Sequence, residues 1–143
     1  MANPLEGKTV LLGVTGSIAA YKAADLASKL TQAGAQVDTI LTENATQFVT
    51  PLTFRSLTHR PVVTNLFDLE SEEAIEHVAL AQRADILVVA PATAHTLAKL
   101  ALGLADDALT TAAIATAAPL MVAPAMDAHM WEHPSVQEHI ATL

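Results

Sequence analysis

The sequence predicts an α/β protein with a Rossmann-like or flavodoxin-like parallel sheet and helices on both faces. Three observations carry this. Runs apolar at nearly every position, such as Lys8–Thr15 and Ala84–Pro91, alternate with stretches of helical spacing. Continuous apolar runs of this length mark strands covered on both faces, as in parallel sheets. Glycine, hydroxyl residues and proline cluster where the runs end. Strand alternating with helix implies βαβ units with right-handed crossovers.

Lys8–Thr15 (K-T-V-L-L-G-V-T) is the first strand, ending at Gly16-Ser17. From Ser17 the period changes, because Ile18, Tyr21, Ala24/Asp25, Leu26 and Leu30 follow helical spacing. Ser17 is the expected N-cap and Gly34 the stop. Gln36–Leu41 is a second strand, and Asn44 is expected to cap a short helix through Phe48. Pro51 opens a helical stretch that ends before Pro61. A short strand fits around Val62-Val63, and Asp68–Glu73 reads as an acidic, solvated loop. Ala84–Pro91 is the clearest buried strand, followed by a helix from Thr93 to Leu102. Asp106 is expected to cap a helix to Ala117; Pro119–Pro124 is the next strand, and a last helix covers Ser135–Leu143.

Composition narrows the function. A chain of 143 residues has room for one domain and a single core. Seven Lys and Arg against fifteen Asp and Glu give a formal charge of −8, which opposes nucleic-acid binding through basic patches. No apolar run approaches the ~20 residues of a membrane-spanning helix. The N-terminus lacks the basic flank and apolar core of a signal peptide. The absence of cysteine excludes disulfides and thiolate metal sites. A cytoplasmic protein is expected, with neither nucleic acid nor membrane as partner. Apolar content of 52 %, most of it Ala, Leu and Val, suggests burial of surface against further copies of the chain.

In such a sheet, ligands bind beyond the carboxyl ends of the strands, where the strand order switches. Gly13–Ser17, Pro91–Thr96 and Pro124–Trp131 all fall at strand ends. In the first, Gly16 permits an unusual backbone angle, and Ser17 with the free amides of a helix start can hold a phosphate. Taken alone, it reads equally as an ordinary βα turn. In Pro91-Ala-Thr-Ala-His95-Thr96, small residues let a flat ring approach and Thr93 or Thr96 can donate to it; alone, it reads as a Thr-capped helix. His77 could act as a base near neutral pH, or cap or decorate a surface. His129-Met-Trp-Glu-His133 has the H-x-x-E-H spacing of some zinc peptidases. Pro134 pushes His133 out of the helical region, so the pair cannot share a helix face and no metal is expected.

Taken in order, several stretches resemble the flavin-dependent cysteine decarboxylase family. They are Gly16-Ser-Ile-Ala-Ala-Tyr-Lys22, Thr42 through Phe48, His77, Ala90-Pro-Ala-Thr-Ala-His-Thr96, Gly103-Leu-Ala-Asp-Asp107 and Pro124-Ala-Met-Asp-Ala-His-Met-Trp131. The resemblance implies a flavoprotein that binds FMN, assembled as trimers or trimer-based higher oligomers with the flavin at a subunit interface. It carries FMN contacts to Gly16, Ser17, Ile18, Thr42, Phe48, Ala94, His95, Thr96 and Met126. It makes His77 the catalytic histidine, and puts Asp127, with Met130, at the substrate carboxylate. The Met-Trp after Pro124-Ala-Met favours the branch that acts on 4′-phosphopantothenoylcysteine. There the cysteinyl side chain is oxidised to a thioaldehyde, carbon dioxide leaves because the thiocarbonyl absorbs the electrons, and the enethiol is reduced to give 4′-phosphopantetheine.

The sequence departs from the family at three points. Asp127 stands where the family has asparagine, and an ionised carboxylate facing the substrate's would repel it unless protonated or paired, for example with Lys22. His95 stands where asparagine is usual. The family's substrate-covering flap, with its cysteine, would lie beyond Leu143. The chain 1–143 is therefore expected to be a single flavin-binding domain cut from a longer protein, or one that has lost the reductive half-reaction. Two other activities fit the same stretches: a flavin enzyme of another substrate (a peptide's C-terminal cysteine, or flavin prenylation), and a non-catalytic FMN-binding regulatory subunit.

Overall fold

The computed structural model describes residues 3–65 and 76–143. The acidic stretch Asp68–Glu73 lies outside the described residues. Five strands form one sheet: β1 (Thr9–Val14), β2 (Gln36–Leu41), β3 (Val62–Val63), β4 (Ile86–Ala92) and β5 (Leu120–Pro124), in the order β3-β2-β1-β4-β5. Every pairing is parallel, as the unbroken apolar runs require. The chain builds outward from β1 through β2 to β3, then returns to place β4 on the other flank of β1. The switch in strand order therefore lies between β1 and β4, where crevices open at the strand ends.

Side-chain alternation sorts the core into two layers. Val10, Leu12, Val14, Val37 and Leu41 face α1 (Ala20–Gln32) and α2 (Pro51–Thr58), with Phe54 fully enclosed among them. Leu11, Ile40, Leu87 and Val89 face α3 (Glu76–Arg83), α4 (Ala94–Leu102) and α5 (Ala108–Ala115). Gly13 sits in β1 because a Cβ there would come within 2.4 Å of the Leu109 side chain. Asp38 faces this second layer and is fully buried. It accepts from Arg60 Nε at 2.7 Å and from both Nε and Nη2 of Arg83 at 2.9 Å, tying the end of α3 to β2. The short α6 (Ala128–Glu132) and α7 (Pro134–Thr142) complete the chain, with α7 packed on α4.

Three helix starts differ from the sequence reading. The first helix begins at Ala20, not after Ser17: the Ser17 hydroxyl accepts from the Ala19 amide two residues on, and the Ser17 carbonyl from Ala20. That local turn uses the group that would have capped the helix. The cap of α5 is Asp107 rather than Asp106. Asp107 Oδ1 accepts from the Thr110 amide at 2.7 Å while Thr110 Oγ1 accepts from the Asp107 amide, a reciprocal capping box. Asp106 is drawn instead to Lys99. Asn44 opens a 3-10 turn (Asn44–Gln47), with Thr42 Oγ1 accepting from the Ala45 amide. Gly34 follows α1 with φ +101°, the stop its sequence position requires. The helix α3 was not among the expected elements. β5, the strand expected at Pro119–Pro124, lies at the sheet edge and is exposed at most positions.

Candidate functional site

The carboxyl ends of β1, β2, β4 and β5 converge on one edge of the sheet. A cleft of about 350 Å³ opens there, lined by Gly16, Thr42, Asn44, Thr93, His95 and Thr96, with Lys99 and the acids Glu43, Asp106 and Asp107. It brings together Gly16, Thr42, His95 and Thr96, residues from three separate expected stretches. Around it lie Ser17 in the turn, Ala94 at the start of α4, the largely exposed Ile18, and the half-exposed Phe48.

The role of Gly16 is corrected by the structure. Its φ is not positive; instead a Cβ there would come within 2.5 Å of Asn44 Cβ. Glycine lets the β1–α1 turn press against the 3-10 turn after β2. Among the described residues, the Gly16 and Ile18 amides have no protein acceptor. With the hydroxyls of Thr42 and Thr96 they make a donor set with which a phosphate or a flat polar ring can bond, while the Thr93 hydroxyl donates to Thr96 Oγ1. Thr93 caps α4, its Oγ1 accepting from the Thr96 amide at 3.2 Å.

Charge in the cleft is unusual for an anion site. Lys99 is its one lining cation, buried and held at 2.7 Å by Asp106 and 2.9 Å by Asp107. Burial alone would lower the Lys99 pKa, but hydrogen bonds and charge from both aspartates outweigh it and hold the ammonium above the ordinary lysine value. Burial likewise pushes the Asp107 carboxyl up; the Thr110 amide and Lys99 outweigh it and hold it below the ordinary value. With Lys99 committed to these acids, an anion here must be met by amides and hydroxyls. Lys99 went unnoticed in sequence, though it follows His95 by four residues on α4 and so shares its face.

The remaining expected site residues lie elsewhere. Met126 is half-buried against the second core layer; together with Pro124 and Trp131 it lines a depression of about 200 Å³. Asp127 caps α6, its Oδ1 accepting from the Met130 amide at 2.9 Å, and Met130 is exposed. Among the described residues Asp127 forms no ion pair, so the suggested partner Lys22 is not engaged with it. Lys22 instead lines a cleft of about 340 Å³ with Pro91 and Pro124, between these two regions. His77 lines none of these cavities. It is buried on α3, and its Nδ1 is enclosed without a hydrogen-bond partner, the kind of orphan that calls for an explanation. His133 leaves the helix as the following proline demands (φ −60°, ψ 132°), and its Nδ1 accepts from the Ser135 amide.

Fold and cleft together define a doubly wound parallel α/β protein with a cleft at the β1/β4 switch, where sheets of this class take their ligands. The Flavoprotein family profile matches residues 2–143, and the chain belongs to that family. It is 50% identical over 139 residues to the coenzyme A biosynthesis bifunctional protein CoaBC of Bacillus subtilis, covering 97% of this chain and 34% of that protein. It is 46% identical over 138 residues to a probable phosphopantothenoylcysteine decarboxylase of Streptococcus mutans, covering 95% of this chain and 77% of that one. The solved FMN-dependent cysteine decarboxylase TvaF from thioviridamide biosynthesis superposes with a TM-score of 0.89 at 33% identity, over 96% of this chain and 85% of that one. The chain thus spans about a third of the length of the CoaBC relatives that it matches.

Proposed function

We propose that this chain is an FMN-dependent carboxy-lyase domain that decarboxylates 4′-phosphopantothenoylcysteine, giving 4′-phosphopantetheine in coenzyme A biosynthesis. The likeness to the Streptococcus mutans protein, most of whose length is covered, carries the substrate. The cleft supports the cofactor, because its donors are amides and hydroxyls left unspent by the protein's own hydrogen bonds. In this reading Gly16, Ser17, Ile18 and Thr42 hold the FMN phosphate. Ala94, His95 and Thr96 meet the ring, with Phe48 and Met126 supplying apolar contact. Bound FMN supplies a two-electron acceptor for the cysteinyl side chain. His77 takes up a proton from the substrate, while Asp127 and Met130 contact its carboxylate end.

His77 lies apart from the cleft, and Ile18, Tyr21, Phe48 and Leu52 are exposed apolar residues. Both features support a homotrimer in which a second copy completes each site. No helix among the described residues is long and apolar enough to cross a membrane, consistent with a cytoplasmic enzyme. Incubation with FMN should give a yellow protein with a flavin spectrum, and the substrate should release carbon dioxide. Bound flavin without carbon dioxide release would leave a non-catalytic flavin subunit; a protein that takes up no FMN would overturn the reading. A second reading rests on the TvaF likeness: the substrate is a peptide ending in cysteine, which the same assay distinguishes by exchanging substrates.

A further inference from the structure

The ladder between β1 and β4 ends at the Gly13–Val89 pair, and the register of β4 against β5 shifts between Val89 and Ala92. Beyond that point β1 runs into the β1–α1 loop while β4 continues to Ala92 before the β4–α4 loop, and Gly16 and Thr93 of these two loops both line the cleft. Thr15 bridges them. Its hydroxyl donates to the Pro91 carbonyl at 2.6 Å and accepts from the Thr93 amide at 3.1 Å. Thr15 is 1% exposed, and among the described residues no other side-chain hydrogen bond joins the two loops. Thr93 in turn caps α4, which presents His95 and Thr96. On the other side, Gly16 follows Thr15 directly and presses on Asn44.

We propose that Thr15 is a positioning residue, locking the β4–α4 loop onto the β1–α1 loop so that the cleft is shaped before a ligand enters. Its hydroxyl takes over where the ladder stops, supplying a donor and an acceptor in one group. The purpose assigned to the lock rests on the proposed flavin site; the lock itself rests on geometry. Thr15→Val keeps the shape of the side chain but removes both bonds, leaving the Thr93 amide and the Pro91 carbonyl without these partners. Thr15→Ser keeps the hydroxyl.

The test compares wild-type protein with both variants by amide hydrogen exchange and by quenching of FMN fluorescence on binding. In Thr15→Val, exchange in peptides spanning residues 90–97 should rise about tenfold and FMN binding weaken by about the same factor. Exchange in β2 and β3 should not change, which separates local release from general destabilisation. Thr15→Ser should stay within about twofold of wild type. Should Thr15→Val not fold, Thr15→Ala compared with Thr15→Ser serves the same purpose. Unchanged exchange at residues 90–97 in the hydroxyl-less variant, or equal loss in Thr15→Ser, overturns the proposal. A wild-type protein that binds no FMN would overturn the proposed function, while the exchange comparison would still decide the lock.

Discussion

At the scale of single residues, Asp127 and His77 separate helix chemistry from substrate chemistry. Asp127 Oδ1 accepts from the Met130 amide, a bond that an asparagine carbonyl also makes. Asp127→Asn should therefore leave thermal stability nearly unchanged. Removing a negative charge beside the substrate carboxylate should lower KM roughly fivefold, the effect of about 1 kcal/mol between two solvated charges at contact. An unchanged KM would remove Asp127 from substrate recognition. His77→Asn should abolish carbon dioxide release with FMN still bound, because the histidine lies outside the cleft proposed to take the cofactor. Retained turnover would show that the proton goes elsewhere. The sequence offers both only as candidate site residues. Their places at a helix cap and on a buried helix face are not legible there, because they are set by packing between segments far apart in the chain.

At the scale of elements, helix termini decide the architecture of the cleft. Asp107 is the cap of α5, a contact of Lys99 and a lining residue at once. Asp107→Ala should cost about 1–2 kcal/mol of stability, the range for losing an N-cap. Its carboxyl is held below the ordinary value in the folded protein, so the unfolded chain binds its proton more readily. Its contribution is therefore complete above the ordinary carboxylate range near pH 4, and is lost as pH falls through the lower, folded value. Chemical denaturation of wild type and variant at neutral pH and below pH 3 should show the gap closing in acid; a constant gap would mean that the charge plays no part in the cap. The choice of Asp107 over its neighbour was invisible in Asp106-Asp107, where both side chains can cap. Lys99, four residues before a glycine stop on α4, bonds both acids, and it is Asp107 that also reaches the Thr110 amide. Ser17 was misjudged for a related reason: its hydroxyl had a nearer amide in Ala19.

At the scale of the whole molecule, the unmet surfaces are the strongest prediction. Ile18, Leu52, Ile114 and Met121 are each more than half exposed, on separate elements, and a monomer in water bears such surface at a cost. Sedimentation should give a particle of three times the 15.0 kDa chain mass or a multiple of it; a monomer at micromolar concentration would refute the trimer. The fold class, the helices on both faces of the sheet and most strand bounds could be read from the sequence, since β2 at Gln36–Leu41 and β3 at Val62–Val63 are local patterns of apolar period. The parallel sheet followed from the same patterns, because strands apolar on both faces need helices on both faces. What only the tertiary structure decided was the strand order, the true function of Gly16 as a contact for Asn44, the commitment of Lys99 to two aspartates, and the Thr15 bridge. Each depends on atoms of separate elements meeting at a few ångströms, from 7 residues apart for Lys99 and Asp106 to 76 for Thr15 and Pro91, and local propensity carries no record of that meeting.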